Sequence, residues 1–474
     1  MSMKDQIACS IGPFTAARGR FLLILTFLLA SPMSIGGRTD APIGARKTLR
    51  EAASYFRSIS TNGGYVGIYS LDLKDRFGES FYEKATAGQI WVQPPGTPSV
   101  GRAYLEAYRV TGADYYLEAA RETARALVWG QRKVGGWDHR VDVSHMQQDQ
   151  TMPHRKAGRC TMDDNITQGA LSFLMEIDTE IDEPWLTDGV RLGCEYMMES
   201  QFENGAWPQW YPLIGGYHDY YTFNDNTIND CIQVMLKAHR VYGNEEYLRT
   251  AEAGGQFIID SQLDPPQAGW AQQYSHKMEP AWARGFEPPG VCSAATARNI
   301  RTLIDLYLYT RNQDYLSPIP DAIDWLQRSH LESGKWARLY EVGTNRPVYG
   351  DRQDPGKKHY EYDEISSRER NSYAWQAGFG IPNAIDLYKK VKRLGAEEYR
   401  PRRQKPLSEE QMERRAEKLR PRVERIVNNL DDKGRWVSQT ENGKRKVIYS
   451  KVFVRNLRTL CDYLKMTGGA EQGI

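Results

Sequence analysis

The chain has 474 residues, 40% hydrophobic and 26% charged. That is ordinary for a soluble globular protein and ample for a large core. A formal net charge of +2 offers no bulk attraction to a polyanion, so nucleic acid is not an expected partner. The 12 Trp and 28 Tyr suit a helical core or stacking on sugar rings.

Residues 1–36 read as an export signal. Arg18 and Arg20 precede the apolar run Phe21–Ala30, small residues follow, and the run is short for a bilayer span. A cut is expected near Gly36, leaving a secreted or periplasmic protein without a transmembrane segment. The remainder, 45–474, reads as a single domain and is expected to act as a monomer. Cysteines at 9, 160, 194, 231, 292 and 461 are too widely spaced for a disulfide scaffold or a zinc knuckle. Most are expected to be buried small hydrophobes, with one bridge left open.

From residue 45 onward a unit recurs. Helical stretches run into turns reading NGGY (62–65), VGGW (134–137), NGAW (204–207), QAGW (267–270), SGKW (333–336) and KGRW (433–436). Glycine after the last apolar-periodic residue is the expected helix stop, because it accepts a positive φ. From the second unit on, an amphipathic segment precedes each such helix, as in 102–112, 170–177, 231–243 and 300–310. Helix hairpins of this length in series signal a stacked repeat. The first unit has only its second helix, near 47–60. The last segment, VRNLRTLCDYL (454–464), resembles the first helix ARNIRTLIDLY (297–307). Pairing of these two ends predicts an all-α fold, an α/α barrel (toroid) of about six helix hairpins. In the charged stretch 400–420, Ser408 is the expected cap of a solvated helix.

Two acidic pentapeptides, TMDDN (161–165) and TFNDN (222–226), each precede a first helix of a hairpin, so one rim should carry both. Asp164 and Asp225 read either as helix caps or, with their neighbouring amides, as hard oxygen ligands for Ca²⁺. Trp137, Trp270 and Trp436 read as packing residues of the repeat. Trp210 and Tyr211 lie beyond the repeat motif and read as sugar platforms. His218 is a weak site candidate, with no metal-binding spacing around it.

The stretch NGAWPQWYP (204–212) followed by TFNDN, with AWARGFEPP (281–289), WARLYE (336–341) and YGDRQ (349–353), resembles the pectate lyases of polysaccharide lyase family 10. The resemblance covers roughly 45–385, with 400–474 as a C-terminal helical extension. It implies Ca²⁺-dependent β-elimination of α-1,4-polygalacturonate on an α/α barrel. Asp164 and Asp225 then match metal ligands, with Asn165 beside them on substrate. Arg284 matches the arginine assigned as base, with Arg298 as rival, and nearby cations are expected to disfavour its protonated form. Arg338 and Arg352 match basic residues that hold substrate carboxylates, with Trp210 and Tyr211 also on substrate. Two departures stand out: Gly-Asp-Arg-Gln replaces the usual Gly-Arg-Asp-Gly at 350–353, and VCSAAT (291–296) follows the Pro-Pro turn where polar residues are usual. Two other readings remain open: a glycoside hydrolase on the same ring with Asp164 and Asp225 as acid and base, and a non-catalytic glycan-binding relative.

Overall fold

The repeat aromatics determine how the helices meet. In the computed structural model, the described residues are 44–468 except 147–154, 353–357, 363, 371–372, 400–406 and 441–442. The expected export signal lies outside them. The described residues contain twelve α-helices: α1 (Ala45–Ser58), α2 (Thr97–Thr111), α3 (Asp114–Gly130), α4 (Ile166–Asp178), α5 (Pro184–Glu199), α6 (Thr227–Tyr242), α7 (Glu245–Asp260), α8 (Ser293–Thr310), α9 (Ile319–Arg328), α10 (Ile381–Glu398), α11 (Glu409–Asn428) and α12 (Ser450–Met466). Helices α12, α2, α4, α6, α8 and α10 follow one another as the inner ring, and α3, α5, α7 and α9 pack outside their partners α2, α4, α6 and α8. This is the α/α barrel expected from the repeat.

Five tryptophans do the same job in five units. Each indole N–H donates to a carbonyl of the outer helix before it: Trp137 to Leu127 at 2.8 Å, Trp207 to Met197 at 2.8 Å, Trp270 to Ile258 at 2.6 Å, Trp336 to Leu326 at 2.6 Å and Trp436 to Ile426 at 2.9 Å. The carbonyls near a helix C-terminus lack intrahelical partners, so the bond satisfies an orphan acceptor while burying a large ring. The turn glycines do not stop the helices as expected. Helix α5 already ends at Glu199, and Gly205 lies further on, in a turn closed by Phe202 N–H on Ala206 O at 2.9 Å. What requires glycine is close approach to the next outer helix. A Cβ on Gly135 would lie 2.1 Å from the Leu192 carbonyl oxygen of α5, at a φ of +102°.

The chain ends meet as expected. Phe453 of α12 stacks on Phe56 of α1 with centroids 3.9 Å apart. Strand Lys446–Tyr449 pairs antiparallel with Ile68–Ser70, Tyr449 opposite Ile68. Helix α11 packs on both α12 and α1, and Ser408 caps it in a reciprocal box with Gln411. Helix α10 has no Gly-x-Trp turn of its own, and the sequence reading passed over it. It contains residue 385, so the sequence-based division between family-like core and extension falls inside a helix; residues 42–474 form one compact unit. Among the described residues α10 packs on α8 and α9, with no comparable packing on α11 or α12. Cys160, Cys194, Cys231, Cys292 and Cys461 are all free and buried, which removes a bridge among them. No described helix is long and apolar enough to cross a membrane.

Candidate active site

One hydrogen bond, repeated five times, lines up the loops of one rim. The residue two places after a repeat aromatic offers its carbonyl to the loop of the preceding unit; at the seam, Gly67 O accepts from Ser450 N–H at 2.9 Å. His139 O accepts from Val92 N–H at 2.7 Å, Gln209 O from Met162 at 2.8 Å, Gln272 O from Phe223 at 2.9 Å, and Arg338 O from Ser293 at 2.9 Å. Counting from that register, the next two residues are Gln93-Pro94, Asp163-Asp164, Asn224-Asp225 and Ala294-Ala295. The paired pentapeptides are therefore two of five loops in this register, and VCSAAT is a third that has no acid.

The two acid loops share an unusual backbone. Asp164 and Asn165 have φ of 51° and 57°, and Asp225 and Asn226 have 45° and 64°. Successive left-handed residues without glycine are strained. No side-chain cap bond is made at the start of α4 or α6. This overturns the capping reading of Asp164 and Asp225. The strained turns instead bring Asp163, Asp164 and Asp225 together, one oxygen from each within 4.8 Å of the others.

Three converging carboxylates perturb one another. Asp163 is pushed up to about 7 by burial, then by Asp225 and Asp164. Asp164 is pushed up to about 6 by burial, Asp225 and Glu79. Asp225 is raised by burial, against the opposing pull of Arg338 and Arg284. Asp163 Oδ1 is buried without a hydrogen-bond partner. Asp164 Oδ2 accepts from Gln93 Nε2 at 3.0 Å, and Asp225 Oδ2 from Asn224 Nδ2 at 2.6 Å. A buried orphan oxygen beside two further carboxylates, all hard donors, fits a divalent cation such as Ca²⁺.

Two guanidinium groups face this cluster. Arg284 holds Glu287 through Nε at 2.7 Å and Nη2 at 2.8 Å. Glu287 is 2% exposed and also accepts from Gln272 Nε2 and Tyr373 Oη, each at 3.0 Å. The pair raises the pKa of Arg284, the reverse of the lowering expected from nearby cations. Arg338 lies over the Tyr373 ring at 4.5 Å and donates to Gln272 Oε1 at 3.3 Å. No described carboxylate pairs with it.

The remaining sequence candidates are placed differently. Arg298 donates to Asp230 across α8 and α6 at 2.9 Å, whereas the arginines acting on the aspartates are Arg284 and Arg338. Arg352 is paired with buried Glu369 at 2.9 Å and covers Phe286 at 3.8 Å. Trp210 is not an open platform: His218 stacks on it at 4.0 Å and the Arg159 guanidinium sits 4.0 Å from the ring centre. Tyr211 meets Tyr196 edge-on at 5.9 Å. His218 serves this stack, with Tyr217 at 3.9 Å on it. The sequence reading paired Glu287 with Arg284, three residues away, and missed Asp163, Gln272 and Tyr373. The first acid of TMDDN signalled Asp163, and the Trp-plus-two offset that Gln272 shares with Arg338 signalled Gln272.

No curated protein matches the sequence. Among solved structures, the chain is similar to a family 10 polysaccharide lyase from Cellvibrio cellulosa, at 20% identity and a TM-score of 0.48, over 63% of this chain and 97% of that one. A mutant of the family 10 enzyme from that organism, in complex with trigalacturonic acid, is similar at 21% identity and a TM-score of 0.48, over 62% and 98%. A family 76 mannosidase from Bacteroides thetaiotaomicron follows at 10% identity and a TM-score of 0.44, over 89% and 98%. The profile of the family described as pectic acid lyase matches residues 131–333 and 329–382. Those matches span more than half of the chain and include both acid loops, Arg284, Arg338 and Arg352. The chain therefore belongs to the pectic acid lyase family and is a polysaccharide lyase.

Proposed function

We propose that the chain is an exported, Ca²⁺-dependent pectate lyase that cleaves α-1,4-polygalacturonate by β-elimination. The observation that carries this reading is the convergence of Asp163, Asp164 and Asp225 opposite Arg284 and Arg338. An anionic sugar cannot approach three carboxylates unless a cation stands between them. Asp163, Asp164 and Asp225 would hold Ca²⁺, which when bound neutralises the uronate carboxylate and so eases loss of the neighbouring C5 proton.

The chain's own side chains supply the rest. Arg338, buried and without a carboxylate partner, grips the uronate carboxylate and stabilises the negative charge that develops there. Arg284 takes the C5 proton. The C5–H electron pair becomes the C4–C5 double bond, the C4–O bond breaks, and the leaving oxygen is protonated from water. Glu287 stabilises the guanidinium that proton transfer produces. It thus makes Arg284 a strong base, but one rarely found unprotonated. Gln272 and Tyr373 hold Glu287 in place for that task.

The test is ultraviolet absorbance during incubation with polygalacturonate. Absorbance from the unsaturated uronide should rise with Ca²⁺, vanish in excess chelator and return when Ca²⁺ is restored. Highly methyl-esterified pectin should be a poor substrate, because esterification removes the charge that Arg338 and the cation hold. Full activity in chelator would overturn the metal assignment. Reducing ends without absorbance would overturn elimination.

A further inference from the structure

Helices α11 and α12, with the segment that joins them, enclose a cavity of about 610 Å³. Its walls come from the C-terminal half of α11, the segment after Trp436, and the first turns of α12. Inner helices begin, and Trp-bearing turns lie, at the rim that carries the aspartates. The cavity therefore belongs to the same end of the ring, in a different sector.

Its chemistry is cationic and polar. Arg422, Arg425 and Arg455 line it together with Asn429, Ser438 and Asn456, and no acidic side chain lines it. None of the three arginines forms an ion pair among the described residues. Asn456 is only 6% exposed, yet its amide makes no hydrogen bond among the described residues. This amide lines the cavity, where it is free to bond a ligand. Three guanidinium groups supply planar, forked donors matched to carboxylates, and a neutral amide beside them suits a hydroxyl or a carboxylate oxygen.

We infer that this cavity is a second binding site for carboxylate-bearing sugars, in which Arg422, Arg425 and Arg455 pair with uronate carboxylates and Asn456 hydrogen-bonds the sugar. The ligand class rests on the uronate reading above; the site itself does not. Because it lacks carboxylate ligands, binding here needs no Ca²⁺, unlike binding at the aspartate cluster. A polyuronate held here would raise the local concentration of substrate at the catalytic rim.

Calorimetric titration of the full chain with trigalacturonate in excess chelator isolates this site from turnover. One molecule should bind per chain. Arg455→Glu should weaken binding at least about tenfold, or 1.4 kcal/mol, and Asn456→Asp should do the same while nearly preserving shape. Fully methyl-esterified trigalacturonate should not bind, and inorganic phosphate at equal concentration should not compete. With Ca²⁺ present, Arg455→Glu should raise KM for polygalacturonate and leave kcat unchanged. Unaltered binding by both folded variants, no binding in chelator, or equal binding of the ester or of phosphate would overturn the inference. Binding that depends on Arg455 in a protein that never eliminates would instead sink the functional reading and leave this site standing.

Discussion

Asp163 shows how a single carboxylate couples metal, charge and stability. Its pKa in the folded chain, about 7, lies above that of an exposed aspartate. The folded state therefore binds more protons across roughly pH 4–7, and this group costs stability progressively as pH rises through that window. A divalent cation bound here, as proposed, would offset that cost by replacing the proton. Asp163→Asn should stabilise the chelated protein at pH 8 by on the order of 2 kcal/mol, seen as a higher Tm, with little change at pH 4. It should also abolish the Tm increase that Ca²⁺ gives the parent chain. Thermal melts at both pH values, with chelator and with Ca²⁺, check both halves. A variant that melts lower in chelator at pH 8 would show that the three carboxylates do not repel one another as described.

The two arginines separate by pH. If Arg284 acts as base, its raised pKa makes activity climb with pH through the alkaline range, without a plateau near neutrality. Arg338, charged throughout, contributes no such slope. Arg338→Ala should lower kcat about 10²–10³-fold, the loss typical of one group stabilising developing charge, and keep the slope. Arg284→Ala should remove turnover with substrate binding retained. A flat alkaline profile in the parent chain would reassign Arg284 from base to charge stabiliser.

At the scale of the element, the Trp-bearing turn was legible because its demands are local. An indole must bury its ring and satisfy its N–H, and a glycine must let two backbones meet, so both recur at fixed offsets. Removing the bond should be measurable: Trp207→Phe leaves the Met197 carbonyl without the 2.8 Å donor and should cost about 1–3 kcal/mol. Denaturant melts compare it with Gly135→Ala, where backbone clash and positive φ combine and the loss should be larger. The acid loops were only half legible. Their sequence similarity marked a shared rim. The third acid became apparent only through the carbonyl register that aligns Asp163 with Asn224, and register between distant strands leaves no local trace. Glu287 was readable only as a partner of Arg284 three residues away. Its links to Gln272 and Tyr373 join residues 15 and 86 positions apart.

At the scale of the molecule, closure was legible because α12 carries the pattern of an inner helix and α1 lacks one. The sixth sector was not legible, because α10 lacks the signature turn and, among the described residues, packs mainly on α8 and α9. A ring whose ends meet should unfold differently from an open array, in which each repeat rests on its neighbours alone. Phe453 tests this. It is 3% exposed, stacked on Phe56 and edge-on to Tyr104 of α2 at 5.7 Å. Phe453→Ala should cost about 3–5 kcal/mol. The aspartates precede α4 and α6, separated from this seam by α2, so the effects of seam and aspartate cluster should add. In a ring that unfolds as one unit, the variant melts in a single transition, lowered equally with and without Ca²⁺. Two transitions, the later one alone shifted by Ca²⁺, would mean that the α4–α8 arc is stable without the seam and that closure serves the site rather than the fold.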